Sequence, residues 1–163
     1  MPVAPECANI WRDKSGGKIT IVYMAKKTNP LTTLHHVPLF ITCSKKDLKR
    51  IQLMSTEKNF KVGDTITNDG DTALDAYILL KGMVEVRKQN KKIASLGAGS
   101  ILGELALLDN GPRTATLVCV TDCETLAISR KNFHKLLIEI PTLSVKILHG
   151  LASRIRKQND YTL

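Results

Sequence analysis

Between Phe60 and Ile128 apolar and polar residues alternate with a period of two, and turn-forming residues interrupt the alternation at short intervals. Val84 and Val86, for example, alternate with Glu85 and Arg87, as a half-buried strand requires. The pattern predicts strands over 57–62, 65–68, 74–80, 83–89, 92–96, 113–120 and 123–128, with turns at Asp69-Gly70, Gln89-Asn90 and Asp109-Asn110-Gly111. Such a series closes as an antiparallel barrel or jelly roll. Outside it the period lengthens. From Leu31 a short helical turn is expected to run into Val37-Pro38, where proline stops it. Ser44 and Asp47 have the spacing of a capping box that opens a helix to about Met54, with Leu48, Ile51 and Met54 on its apolar side. Ser129 can cap a helix to about Glu139, and Pro141 fits the first turn of a last helix to about Gln158. Ile147, Leu148, Leu151, Ala152 and Ile155 are expected on one side of that helix.

Residues 1–30 have no clear periodicity beyond a short strand over Lys18–Met24, and they read as an uncharacterised extension. Met24-Ala25-Lys26-Lys27-Thr28 reads like a protein start, so residues 1–23 are expected to lie outside the native protein. The remainder, 31–163, is expected to form one mainly β domain with helices before and after the barrel.

An apolar content of 43% supplies a core, while no apolar run is long enough to span a bilayer and no signal peptide opens the chain. A soluble, cytoplasmic protein with no membrane contact is the expectation. The net charge of +9 raises the question of nucleic acid. However, the cations are dispersed over Lys45, Lys46, Lys49 and Arg50; Arg87, Lys88, Lys91 and Lys92; Arg130, Lys131 and Lys135; and Arg154, Arg156 and Lys157. With aromatics at only 4%, stacking platforms are lacking as well, so solvated faces are expected and specific DNA binding is not. Cys7, Cys43, Cys119 and Cys123 contain no Cys-x-x-Cys pair, and the adjacent His35 and His36 point different ways on any regular element. Reduced thiols and no metal site are expected. No nucleophile–base pair or NTPase phosphate loop is visible, so the chain is not expected to be an enzyme.

The chemistry concentrates in Gly103-Glu104-Leu105-Ala106-Leu107-Leu108-Asp109-Asn110-Gly111-Pro112-Arg113-Thr114-Ala115-Thr116. A guanidinium is a planar fork of donors suited to two phosphate oxygens, which makes Arg113 the anion anchor. Gly103 lets backbone approach a ligand, and Leu105–Leu108 can form one helical turn that aims free N–H groups at an anion. Glu104 repels phosphate but accepts from a sugar hydroxyl. Sugar on Glu104 and phosphate on Arg113 is the self-consistent assignment.

This stretch resembles the phosphate-binding cassette of the cyclic nucleotide-binding domains, the family of catabolite activator protein and protein kinase A regulatory subunits. Phe60-Lys61-Val62-Gly63-Asp64, Asp69-Gly70-Asp71, Tyr77-Ile78-Leu79-Leu80-Lys81-Gly82 and Leu96-Gly97-Ala98-Gly99-Ser100 resemble the family's glycine-punctuated strands in the same order. The resemblance covers roughly residues 38–158. It implies a jelly-roll β-barrel with N-terminal helices and a C-terminal lid or dimer helix. It also implies that Glu104 holds the ribose 2'-hydroxyl and Arg113 the cyclic phosphate. Gly103, Thr114, Ala115 and the N–H groups near Leu105 and Ala106 would complete the site, and Arg154, Gln158 and Asn159 would lie nearest the base. The implied ligand is cAMP with cGMP as competitor, because the Thr114 hydroxyl suits a syn guanine and occurs in cAMP-binding relatives too. No cofactor is implied.

The sequence ends at Leu163, which leaves no room for a helix-turn-helix after the last helix. Phe40–Leu48 and Ala94–Gly97 are also similar to short single-domain bacterial members. The expectation is a stand-alone sensor acting on a separate, unknown effector protein, with a homodimer through the last helix as a further option. The alternative is a degenerate member serving as a ligand-free interaction scaffold.

Overall fold

The structure, a computed structural model, describes residues 34–160 except 36, with side chains as far as Lys157. The extension, its strand at Lys18–Met24, Cys7 and His36 lie outside the described residues. Among the described residues, eight strands form two antiparallel sheets: β1 (Thr56–Phe60), β8 (Cys123–Ser129), β3 (Asp75–Lys81) and β6 (Ile101–Leu102) in one; β2 (Thr65–Thr67), β7 (Thr116–Cys119), β4 (Met83–Lys88) and β5 (Lys91–Gly97) in the other. The helices are α1 (Lys45–Leu53), α2 (Leu105–Leu108), α3 (Arg130–Glu139) and α4 (Pro141–Asp160), with a 3-10 turn over Pro38–Phe40. The barrel and flanking helices are those the periodicity predicts, with β6 as a further short strand.

Side-chain alternation on the central strands explains why one sheet has apolar groups on both faces. On β3, Tyr77 and Leu79 enter the barrel with Val84, Leu102, Leu117, Cys119 and Ala127, while Ala76 and Ile78 face the helices. On β8, Leu126 and Ile128 likewise join Phe40, Leu48, Ile51, Phe133, Leu136 and Ile147 in a second core. Two cores therefore share one sheet. Burial of each large side chain there contributes about 1.5–3 kcal/mol. The Arg50–Glu139 ion pair between α1 and α3, 2.8 Å and partly solvated, contributes about 0–1 kcal/mol. Apolar packing, and not charge, docks the helices.

Local signals hold where they are strongest. Ser44 and Asp47 form the complete capping box, worth about 1 kcal/mol, and Ser129 Oγ accepts from Asn132 N to start α3. Gln89 and Asn90 both have positive φ, as a two-residue type I' hairpin between β4 and β5 requires.

The helical turn, described at Leu34 and His35, ends before Pro38, and Pro38 itself opens the 3-10 turn, because proline's missing N–H costs nothing at a first position. Two expectations change. β7 begins at Thr116 and not at residue 113, so Arg113 precedes the strand. The α4 stripe also divides: Leu143 and Ile147 are buried and Leu151 half-buried, whereas Leu148, Ala152 and Ile155 are exposed, together with Val145. The inward row has a spacing of four, which puts it on one helix face toward the helix-side core.

Cys43, Cys119 and Cys123 are free and buried. Burial, followed by a hydrogen bond with Cys123, pushes the Cys119 thiol up to about 12. Its folded value is raised, so its contribution to stability is complete below the ordinary value of 9.0 and disappears as pH rises toward about 12. At pH 8 iodoacetamide is expected to label Cys119 only after unfolding; labelling of the native protein at the unfolded rate would contradict the burial.

Candidate functional site

The segment from β6 to β7 builds the site. Gly103 follows β6 with φ +73°, and the Arg113 guanidinium occupies the space where a Cβ on that glycine would lie. A glycine is required there on both counts. The next residues form α2 as one helical turn, with Ala106 and Leu107 buried in the helix-side core and Leu107 N and Leu108 N bonded to the Glu104 carbonyl. Its first N–H groups, near Leu105 and Ala106, have no acceptor within so short a helix. Asn110 then takes positive φ, and Asp109 Oδ1 accepts from Gly111 N at 2.8 Å, which reverses the chain toward Arg113.

Arg113 is only 6% exposed. Its Nη1 donates to the Gly103 carbonyl at 2.9 Å and its Nη2 to the Asp75 carbonyl at 2.6 Å. Its backbone is clamped too: Arg113 N donates to Asp71 O, and Gly70 N donates to Arg113 O. Burial lowers the guanidinium's pKa, an effect that Tyr77, Asp75 and Asp71 oppose and Arg130 reinforces. A buried cation with donors to spare is what an anion would stabilise, since two of the five guanidinium N–H groups suffice for the two carbonyls.

Glu104 is 3% exposed, and its Oε1 accepts from Arg154 Nη1 on α4 at 2.5 Å. The Arg154 side chain is 48% exposed, so one half of the pair is solvated while the other is not. Leaving this carboxylate buried and unpaired would cost several kcal/mol, about 3–5 in measured cases, so the contact favours α4 lying against the cassette. Thr114 is exposed and Ala115 half-buried, held in place by Lys88 Nζ on the Thr114 carbonyl and Thr67 Oγ1 on the Ala115 carbonyl. Thus Gly103, Glu104, Leu105, Ala106, Arg113 and Arg154 come together around one turn, with Thr114 and Ala115 leading away from it. The side chains of Gln158 and Asn159 lie outside the described residues.

Arg130, which the sequence places on a solvated face, and His134 also reach the cassette. Arg130 donates to the Ala73 carbonyl and to Asn110 Oδ1, and His134 Nε2 lies 2.7 Å from the Leu107 carbonyl. No local pattern marks them, because their partners are far away in the chain.

The profile of the cyclic nucleotide-binding domain family matches residues 57–139, just over half of the chain and all of the cassette. A cAMP-dependent protein kinase regulatory subunit from Debaryomyces hansenii is 40% identical over 114 residues, which is 63% of this chain and 25% of that protein. A crystal structure of Thermus thermophilus catabolite activator protein is 28% identical with a TM-score of 0.71, over 77% of this chain and 61% of that one. A structure described as Sp-2Cl-cAMPS bound to PKAR CBD2 is 30% identical with a TM-score of 0.69, over 80% and 88%. The chain spans between 18% and 28% of the length of the fungal regulatory subunits it matches. Among the described residues no single helix is long and apolar enough to cross a membrane, and no His, Cys, Asp and Glu cluster could hold a metal ion. A matching profile that begins in β1 and ends with α3, on a barrel of this topology, settles the lineage: the chain belongs to the cyclic nucleotide-binding domain family.

Proposed function

We propose that the chain is a regulatory sensor that binds cAMP, with cGMP as its competitor, and passes the binding event to a separate effector protein. The observation that carries the reading is Arg113, a buried arginine held by two backbone carbonyls at the mouth of a one-turn helix. Phosphate oxygens would take its remaining donors and offset the cost of burying the cation. Glu104 would accept from the ribose 2'-hydroxyl with Oε2 while Oε1 stays on Arg154, and Thr114 would lie beside the phosphate. Arg154 would bring α4 over the base, with Gln158 and Asn159 near it. The response is then a population shift toward the state in which α4 is docked, and it extends only as far as the nucleotide prefers that state. Relatives named for cAMP support the ligand class.

The outward side of α4 suits a second copy of this chain. Val145, Leu148, Ala152 and Ile155 are exposed there at three- and four-residue spacing, the rhythm of a helix–helix seam. Calorimetric titration with cAMP, cGMP and 5'-AMP tests the main reading, and sedimentation of the same samples tests the seam. One cyclic nucleotide is expected per chain, with no comparable heat from 5'-AMP. Silence with both cyclic nucleotides at millimolar concentration would sink the sensor reading and leave the ligand-free scaffold; a monomer throughout would sink the seam.

A further inference from the structure

The cassette helix α2 is too short to hold itself. Its internal bonds are those of Leu107 N and Leu108 N to the Glu104 carbonyl and of Asp109 N to the Leu105 carbonyl. A single turn is intrinsically unstable, and its last carbonyls need outside donors. Both donors come from α3. His134 Nε2 meets the Leu107 carbonyl at 2.7 Å, and because a carbonyl only accepts, Nε2 carries the hydrogen. Arg130 Nη2 lies 3.5 Å from the Ala106 carbonyl, a long contact, and 2.7 Å from the Ala73 carbonyl, a firm one.

Arg130 does more than cap α2. Its Nη1 donates to Asn110 Oδ1 at 3.1 Å, in the left-handed turn that leads to Arg113, and its backbone N donates to the Leu74 carbonyl. Just beyond Ala73 and Leu74, the Asp75 carbonyl takes Arg113 Nη2. Two guanidiniums therefore grip one short piece of backbone, and the nearby Arg130 charge contributes to lowering the Arg113 pKa. Arg130 Nε is moreover buried with no hydrogen-bond partner among the described residues. A like-charged neighbour and an unsatisfied donor both cost free energy, so Arg130 is poorly explained as a generic surface cation. Its bonds instead tie the Ala73–Leu74 backbone, the Ala106 carbonyl and the Asn110 side chain to the head of α3.

We propose that Arg130 and His134, one turn apart on α3, form a polar latch between α3 and the cassette helix. As positioning residues they set the shape of the turn that presents Arg113, and they make α3 follow that turn when it rearranges. The second half of this inference rests on the nucleotide reading above; the first half does not.

Hydrogen exchange of the full chain tests the two halves separately. Without nucleotide, Arg130→Gln and His134→Leu are expected to speed exchange over 104–111 about tenfold, the effect of losing one or two such bonds on local opening. The β3 and β8 amides should stay at wild-type rates, which shows that the barrel is intact. His134→Gln, whose amide can still donate to Leu107, should restore slow exchange, a rescue that loss of bulk packing does not explain. Arg130→Lys is the fallback if the glutamine variant does not fold; it keeps the charge but cannot reach three acceptors, so it too should loosen 104–111. With cAMP added, the loss variants should still bind, because Arg113 and Glu104 are untouched, about tenfold more weakly and with less protection along α4. Wild-type rates over 104–111 in both loss variants overturn the latch. Uptake of neither cAMP nor cGMP by the wild type, with 104–111 loosened in the variants, overturns the nucleotide reading and supports the latch.

Discussion

Arg113→Ala is expected to weaken cyclic nucleotide binding by on the order of 2–4 kcal/mol, roughly thirtyfold to several hundredfold in Kd. The magnitude follows from burial. In water a single ion pair is worth little, but the Arg113 guanidinium is 6% exposed, so a phosphate on it would be shielded from competing solvent. Removing the side chain takes away the cation and leaves the Gly103 and Asp75 carbonyls without their donor. Each unsatisfied group destabilises the fold by about 1–3 kcal/mol if water does not reach it, so titrations belong well below the variant's melting temperature. Arg113→Lys should recover only part of the affinity, since an ammonium keeps the charge but lacks the fork. Equal Kd for wild type and the alanine variant, measured calorimetrically, would place the anion site elsewhere.

Gly103→Ala is expected to damage binding nearly as much, although glycine offers no side chain to a ligand. With φ at +73°, alanine would cost about 1–2 kcal/mol in backbone strain alone. The larger effect is steric. The new Cβ would fall on Arg113 Nη1, inside contact distance, and the guanidinium cannot yield without breaking its carbonyl bonds. Affinity should fall toward that of Arg113→Ala, and the double variant should bind no worse than Arg113→Ala alone, because the clash loses its partner. Gly63→Ala is the control. Its φ is similarly positive at +89°, but nothing lies within 4 Å of a Cβ there and its N–H bonds the Cys119 carbonyl, away from the cassette, so stability should drop while Kd stays put. Additive losses of affinity in the double variant would refute the steric account.

Elements whose causes lie within a few residues were legible from the chain. The Ser44 capping box, the Ser129 cap, the Gln89-Asn90 hairpin and the period-two strands each depend on neighbours no more than about four positions away. β6 was not legible, because Ile101–Leu102 is too short to show a period and exists by pairing with Tyr77 and Ile78. The start of β7 was misplaced for a related reason. Residues around Pro112 make an isolated bridge to Thr72, and the regular ladder begins only at Thr116.

The same division runs through the site. Gly103, Glu104 and Arg113 stand out in the sequence because their residue types and spacing carry chemistry by themselves. The partners they use do not. Arg154 reaches Glu104 across 50 positions, Asp75 takes Arg113 across 38, and Arg130 and His134 read as ordinary polar residues of an amphipathic helix. The inward face of α4 belongs with them, for Ile147 and Leu148 are adjacent and equally apolar, and only docking into the helix-side core selects Ile147.

What the sequence determined by itself is therefore the kind of fold, the order of its elements and the presence of an anion-binding turn, all consequences of local propensity and of which residue types occur at short spacing. Tertiary structure alone decided which charges meet, which helix face is buried and what steadies the cassette. Those outcomes depend on distances between groups far apart in the chain, and such distances exist only after the two sheets have closed and the helices have packed onto one of them.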